Sequence, residues 1–347
     1  MKYINFKSFT NKQINKIELK LKKRKLTSYP VAIHLEPTIK CNSNCMMCNR
    51  QLIRKEEVLK GDYLSWDTFN KVKPFFSTAE EVLFGGFGEP LLHKDIIPMI
   101  MEIKKHNPYL YFYTNGISLT PEISKELILA GIDEICISFG GATEETYQKI
   151  RGVPMFPIVK NIEKLSELKK TLGKNKPKIS FAIVVMKSIF EELVDIVDLA
   201  KDIGVTKMEM ANIVIQDENL QDESPWRHKI EYEQIMKEFI QKARSYNMGL
   251  LLFELNEYTD ICQHIFSSMT ITWDGFILSC PQERFITGNL AEESIGDIWN
   301  NKNYLMLREK YYQEGLKKLC PNCFAWKNDE QAYLHPNKNS RIFAEEI

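Results

Sequence analysis

The chain has no long apolar run, no surplus of charge and only six histidines in 347 residues, and each shortage narrows what it can be. No stretch approaches the roughly 18 apolar residues of a membrane span, and the first residues lack the apolar core of a secretory signal. The expectation is a cytoplasmic protein with no membrane span. Basic and acidic residues balance at 46 each, so no global field argues for nucleic acid and charge arguments must be local. Eight cysteines in a chain of this length are too few for a disulfide framework. They gather into CxxxCxxC and CxxC arrays, which suits metal ligation in a reducing compartment.

What is present centres on residues 37–50, PTIKCNSNCMMCNR, where Cys41, Cys45 and Cys48 fall within eight residues. A closed structural zinc site wants four ligands, whereas an iron–sulfur cluster held by three thiolates keeps one iron open to another ligand. Asn42, Asn44 and Asn49 are poor fourth ligands, and His34 and His93 are not at finger spacing. His34 lies in a strand and reads as a core or barrel-interior residue. The second group, Cys262, Cys280, Cys320 and Cys323, offers four thiolates, compatible with a zinc ribbon or a fully ligated [4Fe–4S] cluster. Spacing alone leans toward zinc.

Residues 1–30 carry nine Lys or Arg against one acid, Glu18. Ile14, Ile17 and Leu21 stand at helical spacing, which predicts a solvated helix packed on the body by one narrow apolar stripe, with an anionic substrate or membrane surface as the alternative reading. From Val31 short β-branched or aromatic runs alternate with amphipathic helical stretches, the signature of βα units and a parallel sheet. Six strands are expected: 31–36, 81–84, 109–114, 134–139, 178–186 and 207–212. Thr120-Pro121 starts a helix that Gly131 ends, and Gly204 ends the helix after the fifth strand. The fold class is α/β: a partial (β/α)6 TIM-type barrel with a small C-terminal α+β cluster-binding module. The expected divisions are a basic segment 1–30, the barrel 31–227 and the module 228–347. After Asn212 the rhythm stops; a helix near 228–246, a strand at 250–255 and a hairpin turning at Asp274-Gly275 follow. The hairpin carries Cys280 back toward Cys262.

In such barrels the working residues sit at the C-terminal ends of the strands. That end receives the cysteine array after the first strand, GGFGEP (85–90) after the second, Thr114-Asn115-Gly116 after the third and Ser138-Phe139-Gly140-Gly141 after the fourth. Glycines there let backbone groups approach a ligand, and Glu89 can accept from an ammonium. Cys136, two residues before Ser138, shares its face. A buried apolar filler is its ordinary role; the sharper one is hydrogen-atom donor to a substrate radical.

Glu36-Pro37-Thr38 with Cys41 through Cys48 closely resembles the cluster loop of the radical S-adenosylmethionine (radical SAM) family. Residues 85–92 resemble its glycine-rich second-strand motif, Thr114-Asn115-Gly116 its third, and SFGGATEETYQKIRG (138–152) the branch with SPASM or Twitch extensions. Gly275 with Cys280, Gly288-Asn289-Leu290, Ile298-Trp299-Asn300 and Cys320-Pro321-Asn322-Cys323 resemble that extension, so the likeness spans residues 31–326. It implies that Cys41, Cys45 and Cys48 hold a [4Fe–4S] cluster whose open iron is chelated by SAM. Met47 then meets the adenine through its backbone. Glu89, with the backbone of Gly86 and Gly88, faces the methionine ammonium near Thr114 and Asn115. Ser138 and Arg151 are candidates for the SAM carboxylate or ribose.

Two departures stand out. Gly140 occupies a position where many relatives carry aspartate, and four cysteines replace the seven of a full SPASM extension. The shortened Twitch form, with one auxiliary [4Fe–4S] cluster on Cys262, Cys280, Cys320 and Cys323, is the resemblance's answer to the zinc reading.

The leading expectation is therefore a radical SAM oxidoreductase, dehydrogenase-like, that makes a 5′-deoxyadenosyl radical and oxidises a carbinol of a sugar or aminocyclitol, the auxiliary cluster accepting an electron. Its partners are that substrate and a low-potential donor such as flavodoxin or ferredoxin. Peptide epimerisation or crosslinking is the second reading, and a non-catalytic metal-binding scaffold or regulator the third. Glu209, Asn212, Glu254 and Asp274 are candidate proton acceptors by location.

Overall fold

The computed structural model describes residues 5–48, 50, 62–215, 217–252, 262–280, 285–320 and 342–343. Glu254 and Cys323 lie outside them. Six strands run parallel, each pairing with the next: β1 (Ala32–Leu35), β2 (Glu81–Phe84), β3 (Tyr109–Thr114), β4 (Glu134–Phe139), β5 (Lys178–Val185) and β6 (Lys207–Asn212). This is the expected half-barrel, with at least one described helix between each strand and the next. The helix Pro121–Ala130 shows why the punctuation was readable. Thr120 caps it by accepting from the Ile123 N–H, Pro121 takes the first turn, and Gly131 ends it at φ 79°.

The sheet does not stop at six strands. β7 (Gly249–Leu252) pairs parallel with β6, after the helix Lys229–Ser245, and β8 (Ser268–Ile271) pairs parallel with β1. β9 (Phe276–Leu278) and β10 (Phe285–Asn289) continue the sheet antiparallel, and β11 (Ile342–Phe343) pairs with β10. The expected hairpin is the β8–β9 pair, and Gly275 turns it at φ 87°. All eleven strands form one sheet in the order β11-β10-β9-β8-β1-β2-β3-β4-β5-β6-β7.

Alternation along the strands separates two chemistries. Ile33, Leu35, Val82, Phe84, Leu110, Phe112, Ile135, Ile137, Phe139, Phe181 and Met208 are buried in the hydrophobic core. The opposite face is polar: Tyr109, Tyr111 and Tyr113 on β3, Glu134, Cys136 and Ser138 on β4, Ser180 on β5, Lys207 and Glu209 on β6. That face lines the lumen of the half-barrel. No helix among the described residues is long and apolar enough to cross a membrane.

The N-terminal helix, Phe6–Lys20, overturns the expectation of an apolar docking stripe. Ile14, Ile17 and Leu21 are exposed, and the buried face is Ser8, Asn11, Asn15 and Glu18. The reason is hydrogen bonding. Asn11 Nδ2 donates to the carbonyls of Tyr29 and Thr78 at 3.0 and 3.1 Å, and Asn15 Nδ2 to that of Phe266 at 2.7 Å. The Glu18 carboxylate accepts from the backbone N–H and hydroxyl groups of Thr27 and Ser28 at 2.6–3.1 Å. These backbone groups lie before β1, β2 and β8, where strand ladders leave them unpaired, and a buried unpaired group is costly. Burial pushes the Glu18 carboxyl up, but the four hydrogen bonds outweigh it and hold it below its ordinary value of 4.5.

A group depressed in the fold lends stability above its unfolded pKa and loses it as pH falls through the folded one. Glu18→Gln is therefore expected to cost about 1–3 kcal/mol at neutral pH. The difference should shrink once the pH drops below 4.5, measured by denaturant unfolding across the acid range.

Candidate active site

The cysteine loop leaves β1 at its C-terminal end and is clamped from two sides. Glu89 N–H donates to the Lys40 carbonyl at 2.8 Å, and Met46 N–H donates to the carbonyl of Ile150, in the helix Glu144–Arg151, at 2.9 Å. Ser43 Oγ donates to the Arg151 carbonyl at 2.7 Å and lies 3.2 Å from Cys45 Sγ. Glycines make these approaches sterically available. A Cβ on Gly88 would stand 2.0 Å from the Thr38 carbonyl oxygen, and one on Gly152 2.7 Å from that of Asn44. Gly86, at φ 138°, has the Glu36 side chain at 2.5 Å from where its Cβ would be. The nearest neighbours of Gly86 and Gly88 are thus the chain's own residues, and both bring the loop against β2.

Cys45 is buried and Cys41 and Cys48 are half-buried. Burial pushes the Cys41 and Cys48 thiols up, so a bound cation is needed to favour the thiolates there. Asn115 Nδ2 donates to Asn42 Oδ1 at 2.7 Å and lies 3.8 Å from Cys41 Sγ, so an amide hydrogen is available to that sulfur. Among the described residues no three His, Cys, Asp or Glu side chains are grouped to hold a single metal ion. A cluster spreads its thiolates over different irons, so this donor set fits a cluster better than a mononuclear ion.

Glu89 is buried and its carboxylate accepts from Leu91 N–H at 3.1 Å, Thr114 Oγ at 2.7 Å and Asn115 N–H at 2.7 Å. Burial is the larger influence and raises its pKa, and a neighbouring ammonium would reverse that. Arg151 is also buried, and its Nε has no acceptor among the described residues. That orphaned donor beside the loop suits a carboxylate. Gly140 packs toward Ile150 and Arg151, a Cβ there lying 3.3 Å from Ile150 Cγ2. Met47 packs partly buried against the core, and Ser138 sits on the lumen face in register with Ala182.

Cys136 is buried midway along β4; Ser180 Oγ lies 3.1 Å from its sulfur, and burial with Glu134 nearby raises the thiol's pKa. The expected Glu209 lies in the lumen among groups the sequence did not single out, Tyr113 and Lys207. Tyr113 Oη donates to Glu209 Oε1 at 2.7 Å, bridging β3 to β6. Lys207 Nζ lies 3.1 Å from Glu134 and 3.9 Å from Glu209. Burial, with Glu209 beside it, keeps the Tyr113 hydroxyl protonated. Burial also pushes the His34 imidazole on β1 down to about 4, so it is neutral. Tyrosines at 109, 111 and 113 spaced by two were the available signal. Asp274 accepts from Thr272 Oγ in the hairpin turn.

Cys262 and Cys280 belong to the other end of the sheet, and Cys320 follows the helix Leu316–Leu319. Cys262 precedes the short helix leading into β8, and Cys280 follows β9, whose Leu278 faces Thr270 of the antiparallel β8. Extending that register sets Cys280 beside the start of β8, while the Cys41 loop follows the end of β1, the parallel neighbour of β8. The seven described cysteines form no disulfide.

Fold and cysteine groups together define an iron–sulfur half-barrel with a polar lumen. The model of the radical SAM superfamily matches residues 35–200, and that of the SPASM iron–sulfur cluster-binding domain matches 262–324, together about two thirds of the chain. The chain belongs to the radical SAM superfamily, with the SPASM extension, whose members bind SAM at one iron–sulfur cluster and carry auxiliary clusters. The non-catalytic scaffold and zinc readings therefore give way to a radical SAM enzyme with iron–sulfur chemistry.

Among relatives, the tungsten-containing aldehyde ferredoxin oxidoreductase cofactor-modifying protein of Pyrococcus furiosus is 27% identical over 298 residues, 80% of this chain and 82% of that one. The AdoMet-dependent heme synthase of Methanosarcina barkeri is 24% identical over 334 residues, 86% of this chain and 93% of that one. The crystal structure of Streptococcus suis SuiB superposes with TM-score 0.68 at 16% identity, over 97% of this chain and 81% of that one. BtrN in complex with AdoMet and 2-DOIA gives 0.52 at 17%, over 88% and 99%. At these identities the structural likenesses speak to the fold.

Gly88→Ala should drive Thr38 away and loosen the cysteine loop. Iron analysis after anaerobic reconstitution is expected to show one cluster's iron lost and the other retained.

Proposed function

We propose that this radical SAM enzyme oxidises a carbinol carbon of a small polyhydroxylated molecule, a sugar or aminocyclitol, held in the lumen between the two cysteine groups. The observation that carries the reading is the Tyr113–Glu209 pair, a phenol and a carboxylate joined across a polar lumen at 2.7 Å. When bound, SAM on its cluster supplies a hydrogen-abstracting 5′-deoxyadenosyl radical and the auxiliary cluster an electron acceptor.

Cys41, Cys45 and Cys48 hold the first cluster; Cys262, Cys280, Cys320 and Cys323 hold the second. Glu89 takes the methionine ammonium, beside the backbone of Gly86 and Gly88, and Thr114 and Asn115 hold that carboxylate in place. Arg151 Nε donates to the SAM carboxylate, Ser138 serves the ribose, and the Met47 backbone meets the adenine. Oxidation of a carbinol removes a hydrogen atom, a proton and an electron, and the chain's own share is the proton. Glu209 accepts it from the substrate hydroxyl, with Tyr113 orienting the carboxylate and Lys207 balancing its charge. Tyr111 and His34 offer further hydrogen bonds to hydroxyl groups. A flavodoxin or ferredoxin delivers the first electron, in the cytoplasm.

Replacing Cys41, Cys45 and Cys48 together by Ala should abolish reductive SAM cleavage while one cluster remains by iron analysis and electron paramagnetic resonance. With a substrate of this class, Glu209→Gln should lower oxidised product about 100-fold or more while 5′-deoxyadenosine still forms. Equal loss of both would remove Glu209 from the proton's path.

Peptide epimerisation draws on one observation, the buried, protonated Cys136 thiol facing the lumen, a ready hydrogen-atom donor. Cys136→Ala separates the readings. Oxidation leaves product yield and stereochemistry unchanged, and epimerisation loses the inverted product.

A further inference from the structure

The N-terminal helix shows solvent the side chains that ordinarily enter a core. Phe6 is 77% exposed, Phe9 51%, Ile17 56% and Leu21 63%. At roughly 100° per residue these four and Ile14 span an arc of about 140°, opposite the buried Ser8, Asn11, Asn15 and Glu18. Lys16 stands on one flank of the apolar arc and Lys7 on the other, Lys20 falls within it between Phe9 and Phe6, all three are exposed, and the exposed run Lys22–Lys25 follows. Lys16, Lys20, Lys22 and Lys25 join no ion pair among the described residues. Beside that run a cleft of about 830 Å³ is lined mainly by basic and apolar side chains, among them Lys25, Lys310, Leu305 and Met306, with one acid, Glu309, which is paired with Arg24.

An apolar strip of this kind marks an interaction surface, and its charge says with what. The first 30 residues hold nine basic groups and one acid, and that acid, Glu18, is turned inward and fully engaged. The partner is therefore negatively charged at its surface and apolar beneath. An acidic electron carrier has the charge, but electron-transfer contacts are small and charge-led. Here large apolar side chains run along about 22 Å of a single convex helix.

We propose that this face seats the protein on an anionic phospholipid bilayer. The helix lies in the headgroup layer, Phe6, Phe9, Ile17 and Leu21 enter the acyl boundary, and Lys16, Lys20, Lys22 and Lys25 engage the lipid phosphates. The Asn11, Asn15 and Glu18 clamp fixes the helix to the N-terminal ends of β1, β2 and β8. The Cys41 loop, at the other end of β1, then faces away from the bilayer. The proposal does not depend on the reaction assigned above.

The test is flotation of the anaerobically purified protein with vesicles of phosphatidylcholine and phosphatidylglycerol in equal parts, compared with pure phosphatidylcholine. Partition should be at least about tenfold stronger on the mixed vesicles and weaken as salt is raised. Phe6→Ser, Ile17→Ser and Leu21→Ser combined should lower it at least about tenfold, with melting temperature and SAM cleavage unchanged, because most of each side chain already stands in solvent. Lys16→Glu with Lys20→Glu should remove the preference for the anionic lipid.

Equal or absent partition on the two vesicle types, or partition unaffected by the serine substitutions, overturns the proposal. Two further results also overturn it by assigning the face elsewhere. One is a wild-type dimer that the serine variant splits, which gives the face to a second copy. The other is saturable binding of an acidic ferredoxin, lost in the serine variant and without vesicle binding, which gives it to an electron carrier.

Discussion

The buried carboxylate of Glu89 ties together the ends of three strands. It stands just after β2, accepts from Thr114 and Asn115 at the end of β3, and its own N–H reaches the Lys40 carbonyl in the loop after β1. An ionised carboxylate taken out of water is costly unless hydrogen bonds or a counter-charge meet it, so these partners are obligatory rather than decorative. Gly88 is the steric condition for the arrangement, since any Cβ there would strike the Thr38 carbonyl. Three cysteines become one site because this knot fixes the loop that carries them.

The same logic acts at the opposite end of the sheet with polar groups in place of a charge-binding site. Asn11, Asn15 and Glu18 satisfy backbone and hydroxyl groups before β1, β2 and β8, and a helix whose apolar residues would suit a core is held by its polar ones. Hydrogen bonds between buried partners win there because the loops offer carbonyls and N–H groups that nothing else pairs. The consequence is an apolar, basic outer surface on a chain whose total charge is zero.

Between these two ends lies the lumen. Its polarity follows from the strand period: the core-facing positions of β3 to β6 are apolar except at the strand ends Thr114 and Asn212, and the alternating positions carry tyrosines, carboxylates, a thiol and a lysine. The β1–β8 pairing joins the strands that carry the second cysteine group to the same sheet.

The strands were legible because βα units announce themselves by period and by caps such as Thr120-Pro121 and Gly131, all local features. The cysteine loop was legible because its three thiols are close in the chain. The Tyr113–Glu209 contact was not, because 96 residues separate the partners and only the fold of the sheet joins them. Nor could the pattern of the N-terminal helix reveal which face turns inward, since that depends on unpaired carbonyls contributed by residues as distant as Phe266. The sequence by itself determined the half-barrel, the two cysteine groups and the end of the sheet where the first one works. The tertiary structure alone decided which side chains meet across the lumen and which helix face is left to solvent. Periodicity is a property of neighbours along the chain, whereas hydrogen-bond satisfaction is settled by whatever the fold brings alongside.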